Sequence, residues 1–292
     1  MRQYDAEEVK RYYENNNSLL LRLGQGVDGT IRRAVWGFGV EHRAAAMAYV
    51  DDLILERVKA LAGQFGRTPR ILDLGCGVAA SLCHMAKRCD IEGTGVTISP
   101  SQVEMAKRRV AAHGLARAVT VLEADFCQLP QDLRDFDLAF ALESFVHAPD
   151  ASRFFSSAFT ALRPGGTLIV CDDFANHEID MRSTREVRWI SRYAQGWRVS
   201  SLLAPAKLRE VAEGAGFNLE SSRDLTPFVE LGRPRDYAIA LLARSLGWLP
   251  IGSSYWSMLK GGDALQRCMK KGWTSYRFFT WRRPESGRLT PE

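Results

Sequence analysis

An alternation of short apolar runs with longer amphipathic stretches, beginning at Arg70, constrains the fold of this 292-residue chain more than any other feature. Five apolar runs of strand length are separated by segments of helical periodicity or by turns. The runs begin at Ile71, Gly93, Val119, Phe136 and Thr167. Strands that alternate with helices in this way form a mostly parallel sheet, because each helix carries the chain back to start the next strand. We therefore predict an α/β domain with helices on both faces of the sheet.

Helical segments are predicted before and after this alternation. Residues 1–62 contain two helices joined by a glycine-rich link and are expected to form an N-terminal lid, and residues 63–292 the main domain. An amphipathic helix from Met181 to Arg198 lies in an expected helical cap at about 176–205, and further helices are expected at about 235–275. Between them, a helix that ends at Gly216 leads to a strand-like run, FNLESSRDL, which we expect at the sheet edge.

Composition excludes several classes of function. The net charge of +5 is too small to argue for a nucleic-acid partner, and no run approaches the ~18 apolar residues of a membrane span. The first residues lack the apolar core of a secretory signal, and the six cysteines lack paired CxxC spacing. We therefore expect a cytoplasmic protein that acts on a small molecule, and the sequence leaves a homo-oligomer open.

A glycine pair follows the first predicted strand, in Asp73-Leu74-Gly75-Cys76-Gly77. Glycines at such a turn let the backbone approach a ligand closely, and the helix that follows offers unpaired N–H groups to a carboxylate. A single GxG also occurs in purely structural turns, so this motif becomes specific only in combination with others.

Three further motifs supply that combination. GVTISPSQ (residues 95–102) ends the second strand, Glu123-Ala124-Asp125-Phe126 follows the third, and Arg163-Pro164-Gly165-Gly166 precedes the fifth. In order and separation, residues 70–174 resemble the class I S-adenosylmethionine (SAM)-dependent methyltransferases, which implies a Rossmann-like fold. The T-x-S-x-x-Q variant at residues 97–102 is similar to that of the sterol, cyclopropane fatty acid, tocopherol and prenyl diphosphate methyltransferases.

The resemblance implies a SAM site formed by seven residues. These are Asp73, Gly75, Gly77, Thr97, Gln102, Asp125 and Phe126. The glycines would face the methionine part of the cofactor, with Asp73 organising the turn. Asp125 would accept a hydrogen bond from the adenine amino group, and Phe126 would lie against the adenine ring. Thr97 stands where many class I enzymes place an acidic residue for the ribose, so Thr97 and Gln102 would share that task.

The segment 141–150, after the fourth strand, carries the candidate catalytic residues Glu143 and His147. Ligands bind at the carboxyl edge of a parallel sheet, and either side chain could take a proton from the acceptor. By resemblance to the prenyl diphosphate enzymes, Glu143 would remove a proton from the carbocation that methylation of a double bond leaves. Glu143 could instead be structural, and His147 is the rival base, as in sugar and phenol O-methyltransferases. Asp172 and Asp173 end the fifth strand, where either could be a second acid or a metal ligand, and where we expect one to bond nearby backbone N–H groups.

The N-terminal stretch resembles the lid of methyltransferases that act on isoprenoid diphosphates. With the later amphipathic helix, it provides arginines for a diphosphate and aromatic faces for an apolar chain or a cation. The candidates are Tyr13, Arg22, Arg33, Trp36, Arg182, Arg185, Trp189 and Tyr193. Mg²⁺ would accompany a diphosphate substrate. A solvated arginine face with an aromatic core stripe is the structural alternative. An O- or N-methyltransferase and a SAM-binding module without catalysis remain alternative functions.

Overall fold

A seven-stranded sheet forms the centre of the computed structural model, which describes residues 2–23, 32–245 and 254–285; within these ranges the side chains of 17–23, 65, 179, 242–245 and 254–255 are not described. The strands are β1 (Arg70–Leu74), β2 (Glu92–Thr97), β3 (Val119–Glu123), β4 (Phe136–Leu142), β5 (Leu162–Ala175), β6 (Asn218–Asp224) and β7 (Thr274–Arg282). Their order is β3-β2-β1-β4-β5-β7-β6. The first five are parallel, and β7 is antiparallel to β5 and β6. The predicted Rossmann-like α/β fold is confirmed.

The helices cover both faces of the sheet. In the described ranges they are α1 (Ala6–Leu23), α2 (Arg43–Phe65), α3 (Ala80–Ala86), α4 (Pro100–Ala112), α5 (Ala151–Ala161), α6 (Thr184–Trp197), α7 (Pro205–Gly214), α8 (Pro234–Ser245) and α9 (Ser254–Lys270). Alternate side chains of β1 enter two separate cores, because neighbouring strand residues point to opposite faces. Ile71 packs with α2, α3 and α4, whereas Leu72 and Leu74 pack with α5 and α7.

Helix α2 belongs to the first of these cores. Its buried residues Val50, Ile54 and Val58 lie in one cluster with Ile71 of β1 and Leu138 of β4. The structure therefore shows no break in packing at residue 62, where the sequence places the end of the lid.

Strand β7 is the main element that sequence reasoning omits. It lies between β5 and β6, and its residues Tyr276 and Trp281 are fully buried. Its arginines interrupt the apolar pattern, but Arg277 and Arg282 pair with Asp224 and Glu220 of β6. The expectation that 217–225 returns to the sheet edge is confirmed, since β6 is the outermost strand there. The predicted turn at 163–166 is instead part of β5.

The cap helix α6 packs closely on α9. A Cβ atom on Gly196 would lie 2.5 Å from the Cα atom of Gly261, so only glycine permits this approach. The contact places the buried face of α6, including Tyr193, toward the carboxyl ends of the strands.

None of the helices in the described ranges combines the length and the apolar character needed to cross a bilayer.

Candidate functional site

A cavity of about 1040 Å³ opens at the carboxyl ends of the parallel strands. The loops after β1, β2, β3 and β4 line one end, and α8 and α9 line the other. Pockets for one small ligand usually occupy ~300–1,000 Å³, so this cavity has room for a cofactor and an acceptor together.

The glycine turn after β1 forms the floor at the first end. Gly75 has a φ of 98° and Gly77 a φ of 53°, both in the region that favours glycine. The backbone N–H groups of Gly75 and Cys76 donate to the carbonyl of Val96 at 3.0 and 2.9 Å, which ties the turn to β2. The turn therefore has the shape that close approach of a ligand requires.

Asp73 lies beside this turn and lines the cavity. Burial raises the pKa of its carboxyl to about 8, and the charge of Arg32 opposes the shift. The carboxyl therefore holds its proton more strongly than an exposed aspartate does, and a cation bound next to it would favour its release.

The remaining predicted cofactor residues line the same end. Thr97 donates from Oγ1 to Oε1 of Gln102 at 2.7 Å, which couples the two residues predicted to share the ribose. Asp125 accepts the backbone N–H of Cys127 at 2.8 Å, and the ring of Phe126 packs edge-on against Phe154. The structure thus brings together all seven residues; their contacts with a cofactor stay a prediction.

Helix α1 covers this end of the cavity. The Glu14 carboxylate accepts from the backbone N–H of Ser101 at 3.2 Å and from the hydroxyl groups of Ser99 and Ser101. Lys10 pairs with Glu123 at 2.8 Å. These contacts dock α1 against the start of α4 and the end of β3, as a lid over the site would.

Tyr13 of α1 meets His147 across the cavity. The Nδ1 atom of His147 lies 3.2 Å from the carbonyl oxygen of Arg198, so it must carry the proton, and Nε2 accepts from the Tyr13 hydroxyl at 2.8 Å. Burial lowers the pKa of His147, which keeps the imidazole neutral. With α1 docked, the one basic nitrogen of His147, Nε2, already accepts a hydrogen bond from the Tyr13 hydroxyl.

Glu143 follows β4 in the left-handed conformation, with a φ of 55°. Its Oε1 atom accepts from the Tyr276 hydroxyl at 2.9 Å and from the backbone N–H of Arg33 at 3.2 Å. Within the part of the chain that the structure describes, Oε2 has no hydrogen-bond partner, and the residue lines the cavity. One oxygen is thus anchored, and the other can act as an acceptor.

Arg33 and Tyr193 meet on the carboxylate of Asp173. The guanidinium donates to Oδ1 and Oδ2 at 2.5 and 2.6 Å, and the Tyr193 hydroxyl also donates to Oδ2. Neighbouring Asp172 accepts the backbone N–H groups of Val146 and Asp173, as expected for one of the two aspartates. Burial, followed by the charge of Asp173, raises the pKa of Asp172. Because Asp173 neutralises Arg33, this arginine is a weaker phosphate ligand than the sequence suggests.

The other predicted acceptor residues whose side chains the structure describes do not line the cavity. Arg182 donates to the carbonyls of His177 and Leu202. The guanidinium groups of Arg192 and Arg267 lie 4.8 and 4.6 Å from the ring centre of Trp189. Trp36 and Arg185 are exposed, and the side chain of Arg22 lies outside the described residues. The structural alternative of a solvated face with aromatic packing therefore describes this part of α6.

Sequence reasoning missed two parts of the site. Tyr276 of β7 donates to Glu143, which lines the cavity, and apolar residues of α8 and α9, among them Ile239, Leu259 and Met269, form the far wall of the cavity. A strand prediction over the run YRFFTW could have brought Tyr276 to the sheet.

No three His, Cys, Asp or Glu side chains are grouped to hold a metal ion in the described parts of the chain.

Comparisons with known proteins agree with this geometry. Residues 71–166 match a family described as "Methyltransferase domain". The chain is 36% identical over 171 residues to O-methyltransferase rstn1 of Aspergillus nomiae, covering 58% of this chain and 72% of that protein. It is 26% identical over 234 residues to botryococcene C-methyltransferase of Botryococcus braunii, covering 78% of this chain and 62% of that protein. Across the first three curated relatives, the chain spans 46–62% of their length.

The fold is also similar to that of solved structures. Geranyl diphosphate C-methyltransferase from Streptomyces coelicolor A3(2), in complex with Mg²⁺, geranyl diphosphate and S-adenosyl-L-homocysteine, superposes with a TM-score of 0.69. The match covers 95% of this chain and 97% of that one at 19% identity, a similarity of fold.

Proposed function

This chain belongs to the class I SAM-dependent methyltransferases, and on that premise we propose that it methylates an alkene carbon of an isoprenoid diphosphate. The observation that carries the proposal is the Glu143 carboxylate on the cavity wall, with one oxygen anchored and the other without a hydrogen-bond partner among the described residues. The relatives named as C-methyltransferases add support at the level of the reaction type.

The reacting end of the cavity suits a positive charge. Glu143 lines it and forms no ion pair among the described residues, whereas the nearby carboxylate of Asp173 is paired with the Arg33 guanidinium. A carbocation next to an acidic group is stabilised electrostatically, and more strongly where water is excluded. The apolar wall of α8 and α9 would take the hydrocarbon chain.

SAM, when bound, supplies an electrophilic methyl group on its sulfonium sulfur. After an alkene carbon of the acceptor has been methylated, the adjacent carbon carries the positive charge. Oε2 of Glu143 would then accept a proton from a neighbouring carbon, and the electrons of that C–H bond restore a double bond. Tyr276 and the Arg33 N–H hold the carboxylate in place. Helix α1, whose Tyr13 lines the cavity, would exclude water that could otherwise capture the cation.

We expect Glu143→Gln to lower turnover of geranyl diphosphate by about 10²–10⁴-fold with little change in SAM affinity, since glutamine keeps the size but loses the basicity. Turnover is measured with methyl-labelled SAM and affinity by calorimetry. Glu230→Gln is the matched control, because Glu230 lines the same cavity but pairs with Arg43 and Arg233. Chelation should suppress activity on the diphosphate. Full activity of Glu143→Gln, or no turnover of any prenyl diphosphate offered, would refute the proposal.

Methylation of a phenol, sugar or amine is the second candidate. It is favoured by the buried, neutral His147 on the cavity wall and by the similarity to a protein named as an O-methyltransferase. In that case His147→Ala should be more damaging than Glu143→Gln, and chelator should leave activity intact. A panel of isopentenyl diphosphate, geranyl diphosphate, phenols and amines separates the two candidates.

A further inference from the structure

We propose that Tyr276 is the positioning residue that fixes the Glu143 carboxylate for proton transfer. This inference deepens the proposed function and rests on it. Tyr276 is fully buried in β7, and its hydroxyl lies 2.9 Å from Oε1 of Glu143, a residue 133 positions earlier in the chain. Glu143 has no other side-chain donor among the described residues.

The two donors on Oε1 determine what Oε2 can do. The Tyr276 hydroxyl comes from the sheet, and the backbone N–H of Arg33 comes from the segment after α1. Together they hold Oε1 in place and leave Oε2 as the available acceptor of a residue that lines the cavity. Donors to a carboxylate also favour its ionised form, which is the form that can take a proton.

Tyr276 is itself held rigidly. Its backbone N–H donates to Oγ1 of Thr226 at 2.8 Å, and its carbonyl accepts from the backbone N–H of Leu225 at 2.8 Å. The Arg33 guanidinium lies 4.7 Å from the centre of its ring. Burial raises the pKa of Tyr276, so its hydroxyl keeps the proton that it donates. A residue with these restraints has one orientation available, which a positioning role requires.

The test is a double-mutant cycle of Tyr276→Phe and Glu143→Gln, assayed with methyl-labelled SAM and geranyl diphosphate. We expect Tyr276→Phe to lower kcat about 10- to 100-fold, the effect of one hydrogen bond to a charged group. KM should change much less, and the acid limb of the kcat profile should move to higher pH, because the carboxylate loses a donor. In the Glu143→Gln background, Tyr276→Phe should have little further effect.

Two other Tyr→Phe variants serve as comparators. Tyr193→Phe removes a hydroxyl from Asp173 in the same network, and it should leave the acid limb in place. Tyr12→Phe removes a buried hydroxyl that has no partner among the described residues, and it should leave kcat within a few-fold. Thermal melting verifies that each variant is folded.

The outcomes separate the inference from the proposed function. An equal loss of kcat from Tyr276→Phe in both backgrounds, or an acid limb that stays in place, overturns the positioning role while the base role of Glu143 stands. A fully active Glu143→Gln refutes the proposed function and the inference with it. A Tyr276→Phe variant that loses activity only by melting at the assay temperature shows a structural role and also overturns the inference.

Discussion

Replacing each glycine of the turn after β1 with alanine measures two contributions to the free energy of unfolding separately: close packing around the turn and the backbone conformation of the glycine. A Cβ atom at Gly75 would lie 2.5 Å from Cβ and 2.9 Å from Oγ of Ser144, which itself donates to the carbonyl of Leu74. A Cβ atom at Gly77 would meet no protein atom of the described residues within 4 Å. Both positions have a positive φ, so Gly77→Ala is the matched control for the backbone effect.

The magnitudes follow from these two contributions. Alanine in the left-handed region costs about 1–2 kcal/mol, which is all that Gly77→Ala should lose in free energy of unfolding. At Gly75 the φ of 98° is more strained, at ~1–3 kcal/mol, and overpacking adds about 1–3 kcal/mol because Ser144 cannot move without breaking its hydrogen bond. Gly75→Ala should therefore lose about 2–6 kcal/mol.

Urea unfolding of the two variants and the parent measures this difference, and calorimetric titration with SAM reports on the turn itself. We expect the midpoint of Gly75→Ala to fall well below that of Gly77→Ala at unchanged m-value. If both variants unfold at the same urea concentration, the inference that a Cβ atom at Gly75 collides with Ser144 is refuted.

Two further predictions concern the cofactor end. Asp125→Ala should weaken SAM binding about 10-fold without lowering the melting temperature, because it removes one ligand-facing acceptor rather than core packing. If calorimetry shows that the variant and the parent bind SAM equally well, Asp125 is not a SAM-binding residue. At pH 7, below the pKa of about 8 that burial gives Asp73, this carboxyl is mostly protonated, so binding of the cationic cofactor should release a proton. Titrations in buffers of different ionisation enthalpy should detect that proton in the parent and not in Asp73→Asn.

The cofactor end could be predicted from the sequence because its parts are local. Each motif lies within a few residues of the end of one strand, and parallel strands bring all of their carboxyl ends to one edge of the sheet. Thr97 and Gln102, which form a hydrogen bond, are five residues apart. Adjacent motifs and a regular alternation are therefore enough to place these residues together.

The acceptor end could not be predicted in the same way, because its contacts join distant parts of the chain. The sequence favours Arg33 as a ligand for phosphate, but in the structure its charge is neutralised by Asp173, a residue 140 positions away. Tyr276 belongs to β7, whose arginines interrupt the apolar pattern of a buried strand. Their acidic partners lie on β6, so the pattern of β7 alone does not predict a strand. No periodicity reports such pairings, so the sequence alone does not show what surrounds these side chains.

The competition between the two candidate bases depends on α1. Glu143 and His147 lie four residues apart. With α1 docked, the Tyr13 hydroxyl donates to Nε2 of His147, so this nitrogen is already engaged. Of the two candidate bases, Glu143 is then the one with an acceptor atom, Oε2, that has no hydrogen-bond partner among the described residues. Carbon methylation therefore agrees with the docked lid, whereas heteroatom methylation would need Tyr13 to pass the proton on or to move away. Tyr13→Phe frees Nε2 and leaves Glu143 untouched, so turnover of geranyl diphosphate should stay within a few-fold and any turnover of a phenol should rise. If Tyr13→Phe instead abolishes methylation of a phenol that the parent accepts, the Tyr13 hydroxyl is part of the proton path and His147 is the base.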